Sequence, residues 1–188
     1  MEMIDKLIAE IRTIADFSAA DIELFLSSFT EKLLDKGDHF LMEGQVSKHL
    51  GYIKSGLTMH YRVVDGIEIP VDFALENEWV AYLKSFTTGT VSDMSIKALE
   101  PTHLLTMSSA AMDALFTKQP KFVALRSYYT ERSFIRQIEH AANLATLNAK
   151  QRYYQFMKDH PALINRVPQY YIAAYLGIKP QSLSRLRK

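Results

Sequence analysis

The sequence contains no cysteine. Disulfides, thiol nucleophiles and cysteine-held iron–sulfur clusters are therefore excluded. No apolar run approaches the roughly eighteen residues that a membrane-spanning helix needs. The opening Met1-Glu-Met-Ile-Asp-Lys has acids where a secretory leader would carry a basic flank. The signatures G-x-S-x-G, H-E-x-x-H and the Walker A loop are missing. So is the paired H-x-H of metal-binding cupins, although His39 and Glu43 stand four apart. No arginine lies between Arg62 and Arg126. These gaps predict a cytoplasmic protein that is not an enzyme, uses no cofactor or structural metal and makes no membrane contact. Haem would have to rely on an isolated histidine such as His39, His60 or His103, none of which sits in a recognisable motif.

What is present is unevenly spread. Net charge over the 188 residues is only +1. From Asn148 to Lys188, however, eight lysines and arginines face one acid, Asp159, so this end carries about +7 and the rest about −6. A basic end on a near-neutral chain is a place to meet phosphates.

That basic end has a pattern. Pro168 suits a first helical turn, where its missing N–H costs nothing. Ile172, Ala173 and Leu176 mark an apolar face at helical spacing. Gly177 ends that helix in a left-handed conformation, and Ile178 plugs the junction. Pro180 opens a second helix with Leu183 and Leu186 inward and Lys179, Gln181, Ser182, Ser184, Arg185, Arg187 and Lys188 outward. This predicts a helix-turn-helix whose polar second helix suits a DNA major groove. The bland alternative is a helical hairpin with a solvated basic face.

Upstream, Ile4, Leu7, Ile8, Ile11 and Ile14 predict an amphipathic helix over 3–15. Ser18 with Asp21 predicts a capped helix over about 19–28. From Glu31 to Met107 short β-type runs alternate with turns, and Asp65-Gly66 is the strongest hairpin signal. Pro70 within a run predicts an edge strand, and Glu78–Leu83 reads as a further strand. Ser108 or Ser109 caps a helix to Gln119. A long helix over about Pro120–Leu147 carries Leu125, Tyr128, Arg132, Ile135, Ile138, Ala142 and Ala145 down one side, which favours pairing with a second copy. Asn148 caps a helix to about Asp159.

The order of these pieces resembles the Crp/Fnr superfamily of bacterial transcription regulators. The resemblance is carried by Lys36-Gly-Asp, Glu43-Gly-Gln, Gly51-Tyr-Ile-Lys-Ser-Gly-Leu, Asp65-Gly-Ile-Glu, Ser85-Phe86, Ile96-Lys-Ala-Leu-Glu100 and the Arg166-Val-Pro-Gln to Arg187 block. That last block is similar to the Bacteroidetes-type branch, in which the chain stops soon after the recognition helix. The resemblance implies an α+β fold. It comprises an N-terminal antiparallel β-roll (a double-stranded β-helix like that of cyclic-nucleotide-binding domains) flanked by helices, a long dimerisation helix, and a C-terminal helix-turn-helix without a wing. The expected divisions are 1–119, 120–147 and 148–188. The implied partners are double-stranded DNA, a second copy of the chain in a homodimer, RNA polymerase and an unidentified small-molecule effector.

Cyclic-nucleotide binders in this superfamily use a glutamate on the ribose and an arginine on the phosphate. Aligned without gaps from Gly66 to Ala98, this sequence has Tyr82 and Ser92 at those positions. Desolvating a phosphate charge against hydroxyls alone is costly, so cyclic nucleotides should bind weakly or not at all. Trp79, Tyr82, Phe86, Thr87, Thr88 and Ser92 are the candidate pocket residues, with Trp79 and Phe86 as core the bland alternative. For DNA, Gln181 and Arg185 are the candidate base readers, with Ser182 as a further contact. Gln169, Lys179, Ser184, Arg187 and Lys188 are the candidate phosphate contacts. Pro180 occupies the place of a base-reading arginine in a relative. Competing classes are a ligand-sensing roll or adaptor whose helix-turn-helix contacts protein, and a cupin-like metalloenzyme.

Overall fold

The computed structural model describes residues 2–186. The N-terminal helices are α1 (Glu2–Ile14) and α2 (Ala19–Ser27). The spacing that predicts α1 seats Leu7 and Ile11 in the core with no exposed surface. α2 begins with a reciprocal capping box. The Ser18 hydroxyl accepts from the Asp21 N–H at 3.1 Å, and the Asp21 carboxylate accepts from the Ser18 N–H at 2.9 Å.

Eight strands follow: β1 (Thr30–Leu34), β2 (His39–Leu41), β3 (His49–Ser55), β4 (Thr58–Val64), β5 (Ile67–Ala74), β6 (Trp79–Val80), β7 (Ser95–Ala98) and β8 (Thr102–Ser108). They form two four-stranded sheets, ordered β1-β8-β3-β6 and β2-β7-β4-β5. β8 runs antiparallel to both β1 and β3, and β2 to β7. This is the expected roll. Ile53, Val80, Ile96 and Leu104 are fully buried in one core cluster. A second cluster joins α1, α2 and the β1-β8-β3-β6 sheet, with Phe17 stacked on Phe122 at 4.8 Å. Asp65 and Gly66, with φ of 51° and 77°, make the tight β4–β5 turn. β5, with Pro70, lies at a sheet edge.

One segment differs from expectation. The run Glu78–Leu83 keeps only the two-residue β6, and α3 (Leu83–Thr88) follows. The Thr87 and Thr88 hydroxyls donate back to the Leu83 and Lys84 carbonyls, each at 2.7 Å. Gly89 then ends the helix at φ 67°. Six residues rich in Ser and Thr are too short for a periodic signal and are compositionally loop-like.

The C-terminal helices are α4 (Ser109–Lys118, capped by Ser108), α5 (Val123–Thr146), α6 (Ala149–Asp159), α7 (Gln169–Tyr175) and α8 (Pro180–Leu186). A 3₁₀ turn, Pro120–Phe122, precedes α5. The chain divides into two compact units. One comprises the residues up to His60 together with Phe73–Thr130; the other comprises Tyr61–Asp72 and the residues from Glu131 on. Among the described residues no helix is long and apolar enough to cross a membrane.

Candidate nucleic-acid interface

The helix-turn-helix is built from local signals. Asn148 and Gln151 form a capping box, two 3.0 Å bonds that start α6. α6 buries Tyr153 and Phe156. Pro168 sits one residue earlier than expected, just outside α7 as its N-cap. α7 buries Tyr171, Ile172, Ala173 and Tyr175. It closes at Gly177, with φ 60°, through two bonds: Gly177 N–H to Ala174 C=O at 3.0 Å and Ile178 N–H to Ala173 C=O at 2.8 Å. That pair of bonds is a Schellman closure, which needs the left-handed residue glycine supplies. The buried Ile178 fills the junction. Lys179 C=O accepts from the Ser182 and Leu183 N–H groups to start α8, and Leu183 is its buried anchor.

The outward face is as expected among the described residues. Gln181, Ser182, Ser184 and Arg185 are exposed on α8, as are Lys179 before it and Gln169 at the start of α7. Gln181 and Arg185 are one turn apart on one face. Arg187 and Lys188 lie outside the described residues.

Tyr61–Asp72, the outer part of the β4–β5 hairpin, belongs to the same compact unit as these helices. Asp72 accepts from Arg136 at 2.8 Å and from Gln137 at 2.9 Å, both on α5. Glu68 accepts from the Tyr171 hydroxyl. Burial, reinforced by the Glu68 carboxylate, pushes the Tyr171 hydroxyl pKa upward. A shallow cleft beside α7 is lined by His140, His160, Phe156, Tyr175, Asp159 and Arg152, among others. His140 stacks on Tyr175 with centroids 4.1 Å apart. Burial holds its pKa below the ordinary value; Asp72 opposes that shift and His160 adds to it.

The candidate pocket residues of the roll go to several places. Trp79 packs against Phe29, Tyr52 and Tyr129, with centroids 6.1, 5.1 and 5.3 Å away. Burial, with Glu10 nearby, pushes the Tyr52 hydroxyl up to about 12 and raises Tyr129 as well, so this is core. Phe86 belongs to the same cluster. Thr87 and Thr88 are exposed and hydrogen-bonded within α3. Ser92 is buried; its hydroxyl donates to Met94 C=O at 2.6 Å, and its backbone pairs with Gly44 and Gln45. Tyr82 donates to the Asp93 carboxylate at 2.6 Å. The six residues thus divide between core, helix surface and loop. Among the described residues no group of three or more His, Asp or Glu is placed to hold a metal ion.

Residues 31–119 match the model of the cyclic nucleotide-binding domain. Among solved structures the chain is similar to the c-di-GMP responsive global regulator CLP of Xanthomonas campestris (TM-score 0.70, 17% identity, over 90% of this chain and 89% of that one). It is similar to FixK2 of Bradyrhizobium japonicum (TM-score 0.75, 15% identity, 85% and 82%). A third similar structure, from Eubacterium rectale, is described as a regulator of the crp/fnr family (TM-score 0.69, 15% identity, 91% and 82%). No curated protein matches by sequence. The fold is that of the Crp/Fnr regulators.

Within this fold, the stretch matched by the cyclic nucleotide-binding domain runs from β1 to the residue after α4. Three features escaped sequence reasoning. Arg152, counted there as phosphate-seeking charge, turns its guanidinium onto backbone carbonyls. Asp93, next to Ser92, offers a carboxylate that accepts from the Tyr82 hydroxyl. Glu68 and Asp72 tie the hairpin to α7 and α5. None carries a local signal: Leu176 and Gly177 lie 24 and 25 residues from Arg152, Tyr82 lies 11 from Asp93, and Arg136 and Tyr171 lie 64 and 103 from Asp72 and Glu68.

Proposed function

We propose that this chain is a sequence-specific DNA-binding transcription regulator of the Crp/Fnr type. It acts in the cytoplasm as a homodimer on a two-fold symmetric operator. The observation that carries the proposal is α8 itself. It has one buried anchor, Leu183, and an exposed outer face bearing Gln181 and Arg185 at the spacing of one helical turn. Gln pairs bidentately with adenine and Arg with guanine. Ser182 adds a base or phosphate contact. Gln169, Lys179 and Ser184 hold phosphates, joined by Arg187 and Lys188.

The second copy covers α5. Phe134, Ile135 and Ile138 are 63%, 55% and 52% exposed there, an apolar stripe that a coiled coil would bury. Leu125, expected on the same seam, is instead buried within its own chain. The division of labour is a sensor roll over 1–119, a dimer helix over 120–147 and a DNA-binding end over 148–188.

The roll does not take the usual cyclic nucleotides. A cyclic phosphate approaching Ser92 would meet the Asp93 carboxylate instead of a guanidinium, and Ser92 is already committed to its own loop. Any effector is of another class.

The test is selection of bound duplexes from a random pool by the purified full chain, followed by anisotropy titration of the winner across salt concentrations. A recovered palindrome bound more tightly than random duplex supports the proposal. Recovery of no preferred sequence at modest salt overturns it and leaves the adaptor reading.

A further inference from the structure

We infer that Arg152 is a positioning residue: its guanidinium locks the turn of the helix-turn-helix to the end of the long helix and so sets the aim of α8. The inference rests on the DNA-binding reading above but concerns a residue that touches no DNA in that reading. Arg152 Nε donates to Leu176 C=O at 2.7 Å, and Nη2 donates to Gly177 C=O at 3.1 Å. Nη1 donates to Leu147 C=O at 2.5 Å and to Leu144 C=O at 3.4 Å. The first two carbonyls belong to the C-cap of α7 and the turn residue after it; the other two belong to the end of α5 and the residue just after it.

The chemistry explains why an arginine stands here. The last carbonyls of a helix have no intrahelical partner and carry the negative end of its dipole. Two such ends meet at one point, and a planar fork with five donors serves both at once. A lysine ammonium is a compact point charge on a flexible stem and cannot span both sets. The turn packs directly on the fork, since a Cβ on Gly177 would stand in van der Waals contact with Arg152 Nη2 at 3.9 Å and with Leu144 Cδ2 at 3.6 Å. Three residues beyond Gly177, α8 begins, so any looseness at the turn passes directly into the base-reading helix.

A phosphate-contacting arginine and a positioning arginine respond differently to the same substitutions. A phosphate contact is rescued by lysine, and its loss lowers the salt slope by about one on every duplex. A fork that organises backbone is not rescued by lysine, and its loss falls on specific binding alone.

The experiment uses the full chain with Arg152→Lys and Arg152→Gln, each checked for folding by thermal melting. Affinity is measured for the selected operator and for random duplex across salt, and amide hydrogen exchange is followed at Gly177 and Ile178. We expect both variants to lose about tenfold on the operator, the cost of one misplaced base contact. Random-duplex affinity and salt slope should stay unchanged, with faster exchange at the two amides. Wild-type affinity in Arg152→Lys, or a salt slope reduced by about one in Arg152→Gln, overturns the inference. If the wild type prefers no duplex, the DNA reading fails separately. The lock is then judged by exchange alone, and unaltered exchange in Arg152→Lys refutes it.

Discussion

The Tyr171 hydroxyl, on the first helix of the helix-turn-helix, donates to the carboxylate of Glu68 on the β4–β5 hairpin, 103 residues earlier in the chain. Tyr171 is only 6% exposed, so its hydroxyl is satisfied inside the fold. The hairpin arm is therefore part of the unit that carries α7 and α8.

Removing that hydroxyl should loosen the unit. A hydrogen bond to a charged acceptor contributes about 1.5–3 kcal/mol. Tyr171→Phe is expected to lower stability by that order in urea unfolding. Glu68→Gln, which keeps an acceptor oxygen, should cost less. Equal and negligible losses in both variants would mean that the contact contributes nothing.

His140 predicts a pH dependence. Its folded pKa lies below the ordinary value of about 6.5 because burial disfavours the charged ring. The unfolded state therefore binds the proton first as pH falls. The stability it contributes is complete above pH 6.5 and is lost as pH drops through 6.5 toward the folded pKa. His49 behaves alike, lowered by burial and then by Lys32 and Lys48. His140→Phe keeps a ring against Tyr175 and removes the proton. Urea midpoints measured from pH 8 to 5 should fall less steeply in this variant. An unchanged slope would assign the whole effect to other groups.

Arg185 and Lys179 should separate cleanly on DNA. Arg185→Ala is expected to relax preference at one operator position by roughly 1–3 kcal/mol. Lys179→Ala should weaken all duplexes alike and reduce the salt slope by about one. Equal loss on operator and random DNA from Arg185→Ala would contradict its base-reading role.

The roll can be tested by isothermal titration with cyclic AMP. Tyr82 donates to Asp93, and Ser92 bonds within its own loop, so both hydroxyls already serve protein acceptors. The expected result is no measurable heat. A micromolar constant would reverse the account of the pocket.

The α5 stripe predicts oligomeric state. Ile135 and Ile138 are more than half exposed. A buried aspartate at either position leaves an unpaired charge in the seam, which is strongly unfavourable. Sedimentation should show a dimer for the wild type and a monomer for Ile138→Asp. Identical behaviour would place the second copy elsewhere.

Much of the fold was legible because its signals are local. Ser18 with Asp21, Asn148 with Gln151, Asp65 with Gly66, and Gly177 each act on backbone groups a few residues away. Their hydrogen bonds and φ angles follow from residue type and spacing wherever the segment sits. The exposed face of α8 followed in the same way, because Leu183, buried, and Leu186, half-buried, lie three residues apart on one side of a short helix. α3 was not legible: six residues cannot display a helical period, and its hydroxyls read as a loop.

What the sequence by itself determined was the order of elements and the residues that α8 presents outward, since both rest on interactions within one or two turns. The tertiary structure alone decided that Arg152 serves the carbonyls of Leu176 and Gly177, that Tyr82 reaches Asp93, and that Glu68 meets Tyr171. Spacing along the chain carries no information about such pairs. A side chain finds a partner 11 to 103 residues away only after packing has brought the two elements within hydrogen-bond reach, and that packing depends on the whole core at once.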